Sequence, residues 1–244
     1  MDAPPPSAKL PPAKARVPLL LAGLDRLYPD AECELDYRSP LQLMVAVILS
    51  AQCTDRRVNQ VTPALFARYK SARDFAAADP AELEGYVKST GFYRNKAKNI
   101  RACCQALVDR HGGEVPGTLE ELVGLPGLGR KSANCVLGDA FGVPGITVDT
   151  HVGRLARRLG LTKHTDAVKV EFALMKLIPQ PAWTRVSHQL ILHGRRVCHA
   201  RGPDCGACTL ASLCPRVGVS QKSSNRAGPR RATKAVTPRK KPPT

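Results

Sequence analysis

A chain of 244 residues, 43% of them hydrophobic, is long enough for one large domain or two small ones, and with aromatics at only 5% its core must be mainly aliphatic. No basic start leads into an apolar stretch, which argues against a signal peptide. The longest apolar run, Leu43 to Leu49, is too short to span a bilayer, so no membrane partner is expected. The composition points to an intracellular chain, cytoplasmic and nucleoid-associated in a bacterium, nuclear or mitochondrial in a eukaryote.

Lys and Arg number 37 against 20 Asp and Glu, and from Arg216 onward there are 9 bases and no acid. A basic body with a more basic tail suits a polyanion, nucleic acid above all. By itself this is a weak signal, since basic tails also serve solubility.

In chain order, residues 1–16 are Pro, Ala and Lys without helical period and read as a disordered basic arm. Val17, Leu20, Leu21, Leu24 and Leu27 then recur at helix spacing. Ser39-Pro40 opens the next helix as N-cap and first-turn proline. That helix is apolar nearly all round and should be buried. Further helices are predicted near 57–70, 72–77, 80–89, 94–111, 118–124, 130–141, 150–159, 165–177 and 181–193. No alternating strand pattern appears, so the fold class is all-α. Residues 216–244 lack large apolar groups and read as a disordered basic tail.

Two segments carry chemistry. In 118–141 one short helix ends, Leu125-Pro126-Gly127-Leu128-Gly129 turns the chain, and a second helix begins. Pro126 should stop the first helix, while Gly127 and Gly129 permit positive φ and close backbone approach. The unpaired N–H groups of the second helix can then hold a phosphate. A plain helix–turn–helix corner is the simpler reading, but it needs neither both glycines nor the Arg130-Lys131 that follows. Lys131 sits in the first turn, where the helix dipole and Arg130 both disfavour an ammonium, as a nucleophilic amine requires. A phosphate contact explains Lys131 equally well from this segment alone. Asp149, in Thr147-Val148-Asp149-Thr150-His151, is a good N-cap, and it could also face a cleft, stabilise a sugar cation and move protons. For His151 we favour packing or hydrogen bonding.

Of the nine cysteines, Cys198, Cys205, Cys208 and Cys214 form C-x6-C-x2-C-x5-C, strong grounds for a metal site. Spacing leaves zinc and a 4Fe–4S cluster both open, although one C-x2-C with long flanks suits paired zinc knuckles less well. Arg195, Arg196, Arg201 and Arg216 would offset the negative charge, with Arg201 available for a phosphate. Cys33, Cys53, Cys103, Cys104 and Cys135 are scattered and read as small buried hydrophobes.

Taken together, Lys131 in LPGLGRKSAN, Asp149 in VDTH and the four-cysteine tail resemble the endonuclease III family of helix–hairpin–helix DNA glycosylases. The segments Ser50–Asp55, Gly91–Ala97 and Ile191–Gly194 strengthen the resemblance, which covers about residues 17–215. It implies two helical lobes with a DNA groove between them. One is a six-helix barrel at 33–143 containing the hairpin (about 118–141); the other joins 17–32 to 144–215 and carries a 4Fe–4S cluster on the four cysteines.

The resemblance further implies a bifunctional glycosylase and AP lyase of base excision repair. Lys131 would attack the sugar of an oxidised pyrimidine nucleotide, Asp149 would assist, and β-elimination would cut 3′ to the lesion. The partner would be double-stranded DNA with damaged bases or abasic sites, bound by a monomer. Gln52 would fill the space of the flipped nucleotide. Phe92 stands where a Leu wedge is frequent, and Ser132 where Thr is frequent. Gly127, Gly129, Arg130, Ser132, His151 and Arg201 complete the expected DNA contacts. A mismatch adenine glycosylase would lack the hairpin lysine and carry a further C-terminal domain. A non-enzymatic hairpin protein with a structural metal would not explain Lys131 and Asp149 together.

Overall fold

The computed structural model describes residues 10–220. Its α-helices are α1 Ala13–Leu27, α2 Pro40–Leu49, α3 Asp55–Arg68, α4 Ala72–Ala76, α5 Pro80–Val87, α6 Tyr93–His111, α7 Leu119–Val123, α8 Arg130–Ala140, α9 Thr150–Arg158, α10 Ala167–Met175 and α11 Trp183–Arg196. Among the described residues no strand forms, so the fold is all-α.

Local chemistry sets most helix starts. The side chains of Ser39, Thr54, Ser71, Asp79, Thr118, Asp149 and Asp166 each accept from a backbone N–H in the first turn that follows. Each cap is worth about 1 kcal/mol. Pro40 and Pro80 occupy first-turn positions where no N–H is missed.

The helices enclose two hydrophobic cores. The first is built from residues between Leu35 and Leu137. Helix α2 runs through its middle against α3, α6 and α8. Every side chain from Leu43 to Leu49 is at most 5% exposed, which is why its sequence shows no polar face. Each large aliphatic buried this way contributes roughly 1.5–3 kcal/mol. The second core unites Val17, Leu20 and Leu24 of α1 with Ile146, Leu155, Leu174, Leu190 and Leu210 from the far end of the chain.

The expected arm and tail both need correction. Helix α1 begins at Ala13, inside the segment 1–16. Arg16, only 4% exposed, donates to the carbonyls of Leu159 at 2.8 Å, Leu213 at 2.6 Å and Pro11 at 2.8 Å. Three carbonyls around one guanidinium make this arginine part of the core. At the other end, the Val217 N–H donates to the Arg158 carbonyl, turning residues 216–220 back onto α9. The remainder of arm and tail, 1–9 and 221–244, lies outside the described residues.

Polar side chains tie the two cores together. Arg130 on α8 donates two bonds of 2.8 Å to Glu171 on α10. His188 on α11 pairs with Asp139 on α8 at 2.8 Å. Arg195, near the end of α11, pairs with both Glu34 and Asp55. No helix among the described residues is long and apolar enough to cross a membrane.

Candidate functional site

Lys131 and Asp149 both line a cleft at the seam between the two cores. Lys131 occupies the first turn of α8, whose N-cap Gly129 offers no side chain, leaving the N-terminal amides uncapped. Asp149 caps α9, its Oδ1 accepting from the Val152 N–H at 2.8 Å. Both residues line one cleft. Ser50, Asp55, His188 and Arg195 share its wall. A lysine amine and a carboxylate from different helices thus line one cleft.

The hairpin is built largely as its sequence suggests. Helix α7 stops at Val123 with Gly124 as C-cap, so the stop precedes Pro126. Gly127 adopts φ 79°. A Cβ there would also lie 2.8 Å from that of Asn99, so shape and space both demand glycine. Gly129 departs from expectation: its φ of −95° is ordinary extended backbone. The absent side chain there leaves open space beside the helix start.

Arg130 also departs from its expected role. Its guanidinium is committed to Glu171 and lies over the Phe172 ring at 5.0 Å. Its charge is therefore paired within the chain rather than presented to DNA or to Lys131. Ser132 is half-buried in the same turn.

Gln52 and Phe92 lie on exposed loops of the first core. Both non-glycine residues sit in the left-handed region, at φ 52° and 49°. Such backbones cost on the order of 1 kcal/mol or more and concentrate at functional sites. Phe92 is 63% exposed, the most of any large hydrophobic among the described residues. The turn behind it is braced by Lys96, whose buried Nζ donates to the Thr90 carbonyl at 2.8 Å; burial lowers that ammonium's pKa.

His151 is packed, in line with its favoured reading. Its Nδ1 lies 3.1 Å from Arg154 Nη2, and Gly194 has no room for a Cβ, which would fall 2.7 Å from the imidazole. Burial lowers its pKa, with the Asp149 carboxylate opposing.

Cys198, Cys205, Cys208 and Cys214 all line one cavity. Of the arginines expected there, Arg216 is present. Arg195 is instead engaged at the seam, Arg196 lies over Tyr28, and Arg201 is exposed. The arginine side chain that reaches a sulfur is Arg158, missed in the sequence, whose Nη1 donates to Cys198 Sγ at 3.2 Å and to the His199 carbonyl at 2.6 Å, while the Arg216 backbone N–H donates to Cys214 Sγ at 3.4 Å. His193 was missed as well. Its Nε2 lies 3.5 Å from Cys208 Sγ and its Nδ1 2.9 Å from the Tyr28 hydroxyl. Burial brings the pKa of this imidazole down to about 4. The Ile191–Gly194 segment was the available signal.

The scattered cysteines divide. Cys103 and Cys104 are buried as expected, whereas Cys33, Cys53 and Cys135 are half-buried. Donor atoms of Cys33, Cys135 and Asp139 lie within 4.8 Å of one another, a compact Cys/Asp group able to hold a metal ion. Its hydrogen bond with Cys33, burial and the Asp139 carboxylate hold the Cys135 thiol well above its ordinary pKa.

Comparison with known proteins defines the class. Residues 45–180 match the family described as HhH-GPD superfamily base excision DNA repair protein. Endonuclease III of Synechocystis is 57% identical over 85% of this chain and 95% of its own length. Endonuclease III of Escherichia coli K12 is 42% identical over 82% and 95%. A solved structure of a non-covalent endonuclease III–DNA complex superposes with a TM-score of 0.80 at 46% identity, covering 83% of this chain and 95% of that one. The chain belongs to the endonuclease III family of this superfamily.

Proposed function

We propose that this chain is a bifunctional DNA N-glycosylase and AP lyase of base excision repair, acting on oxidised pyrimidines in double-stranded DNA. The observation that carries the reading is Lys131 and Asp149 facing one cleft. Relatives named endonuclease III, 57% and 42% identical, support it. So does a solved trapped covalent intermediate of endonuclease III with DNA, matched at TM-score 0.80 and 46% identity.

In this mechanism the target nucleotide leaves the stack and enters the cleft. The Lys131 amine lone pair forms a bond to the sugar C1′ as the bond to the base breaks, and the base departs with a proton. The sugar ring opens to a protonated Schiff base. Loss of a proton from C2′ expels the 3′ phosphate, cutting the strand, and water later releases the lysine. Asp149 uses one carboxylate oxygen for its cap, leaving the other to offset the developing sugar cation and relay protons.

Gln52 and Phe92 fill and wedge the duplex. The open N-terminus of α8, with Gly127, Gly129 and Ser132 nearby in sequence, seats the backbone, half-buried His151 in the first turn of α9 adds to the DNA contacts, and exposed Arg201 adds a phosphate contact. The domains are the six-helix barrel, 33–143, and a second lobe of 17–32 with 144–215, working as a monomer. Cys198, Cys205, Cys208 and Cys214 hold a 4Fe–4S cluster in that lobe. Their shared cavity and the Arg158 donor fit a multinuclear thiolate cluster. When bound, such a cluster supplies redox capacity and holds the 198–214 loop in shape.

Borohydride trapping on a thymine-glycol duplex tests the reading. A covalent band that disappears in Lys131→Gln is expected. A band on an abasic duplex alone would keep the lyase and reject the lesion class. No band on either would leave a monofunctional glycosylase or a binding protein.

A further inference from the structure

The Cys33–Cys135–Asp139 group lies apart from the four-cysteine cavity and has no part in the proposed chemistry. Cys135 and Asp139 stand one helical turn apart on α8, in line with Lys131 one turn earlier. Cys33 comes from the segment between α1 and α2, where the chain crosses from the second core to the first. Cys33, Cys135 and Lys131 line the same cleft.

We propose that Cys33, Cys135 and Asp139 form a binding site for a thiophilic divalent cation of the zinc type, stapling the crossing segment to the helix that bears Lys131.

The geometry is close to what such an ion needs. With zinc–sulfur and zinc–oxygen bonds of about 2.3 and 2.1 Å, tetrahedral coordination sets sulfur and carboxylate oxygen roughly 3.6 Å apart. Cys135 Sγ lies 3.4 Å from Asp139 Oδ2. The other carboxylate oxygen, Oδ1, is held by His188 Nε2 at 2.8 Å. That is the outer-shell support that fixes a ligating carboxylate.

Charge balances too. The dication displaces the two thiol protons to solvent, so the group keeps its single net negative charge, and water completes the coordination. Two thiolates and one carboxylate favour zinc over magnesium or calcium, which prefer all-oxygen shells.

The test uses the full-length protein with its own cluster intact, reduced and stripped of loosely held metal. Zinc is titrated by equilibrium dialysis, and iodoacetamide labelling of each cysteine is read by peptide mass spectrometry. We expect one zinc bound beyond the iron content, with Cys33 and Cys135 protected together and Cys53 unchanged. Binding is lost in Cys135→Val and in Cys33→Ser, either of which suffices if the other misfolds. It weakens roughly 10–100-fold in His188→Ala. Absence of an additional zinc equivalent, or zinc that leaves both thiols open to alkylation, overturns the proposal. Recovery of Cys33 and Cys135 as a disulfide-linked peptide that zinc does not prevent overturns it in favour of a redox pair.

Discussion

Arg130 and Glu171 form a two-bond ion pair, 2.8 Å each, directly beside the hairpin lysine. Glu171 keeps only 4% of its side-chain surface exposed. Removing the arginine strands that carboxylate, at a cost of about 3 kcal/mol. Arg130→Ala should therefore lower the denaturation midpoint while leaving the salt dependence of DNA binding unchanged. A drop of about one in the slope of log affinity against log salt would mean that Arg130 holds a phosphate after all.

Lys131 and Asp149 can be separated experimentally. Lys131→Gln should abolish borohydride trapping with thermal stability unchanged, since the residue is exposed. Asp149→Asn should preserve the cap on α9, because Asn caps as well as Asp, yet slow turnover by at least about 100-fold if the carboxylate moves protons. Equal losses of stability and activity in Asp149→Asn would reduce its role to capping.

The left-handed backbones at Gln52 and Phe92 predict an opposition between stability and activity. Glycine adopts such φ values without strain. Phe92→Gly should be neutral or slightly stabilising in urea denaturation, while activity on duplex substrate falls more than activity on a single-stranded lesion. A loss of stability above about 1 kcal/mol would show that Phe92 packs rather than probes.

Losing the 4Fe–4S cluster proposed for the four cysteines should affect one core. Protein made without iron is expected to lose hydrogen-exchange protection at 197–219 and at the C-terminal end of α9, where Arg158 reaches Cys198 and His199. Amides of α2 and α6, in the other core, should stay protected. Uniform loss of protection would make the two cores a single cooperative unit.

Most helices were legible in the sequence because their signals are local. Ser39-Pro40 and Asp149 announce helix starts through a side chain and an amide three residues apart. The buried character of α2 follows from its unbroken apolar run. What stayed hidden depends on distant partners. Arg16 looked like part of a basic arm because its carbonyl partners at Leu159 and Leu213 are far along the chain. Arg158 went unnoticed because its sulfur and carbonyl partners lie about forty residues further along the chain. Cys33 and Cys135 were read as filler because nothing in their separate neighbourhoods reveals that they meet.

The Arg16 clasp also dictates when each half of the molecule can be finished as the chain is made. The core between Leu35 and Leu137 needs only contiguous sequence and can close while the ribosome is still working. Helix α1, made before its partners, must wait with an apolar face exposed and its guanidinium bonded to water in place of the Leu159 and Leu213 carbonyls. The core that packs against the four cysteines is therefore completed last, so a chain interrupted before that point would hold a folded first core and no clasp.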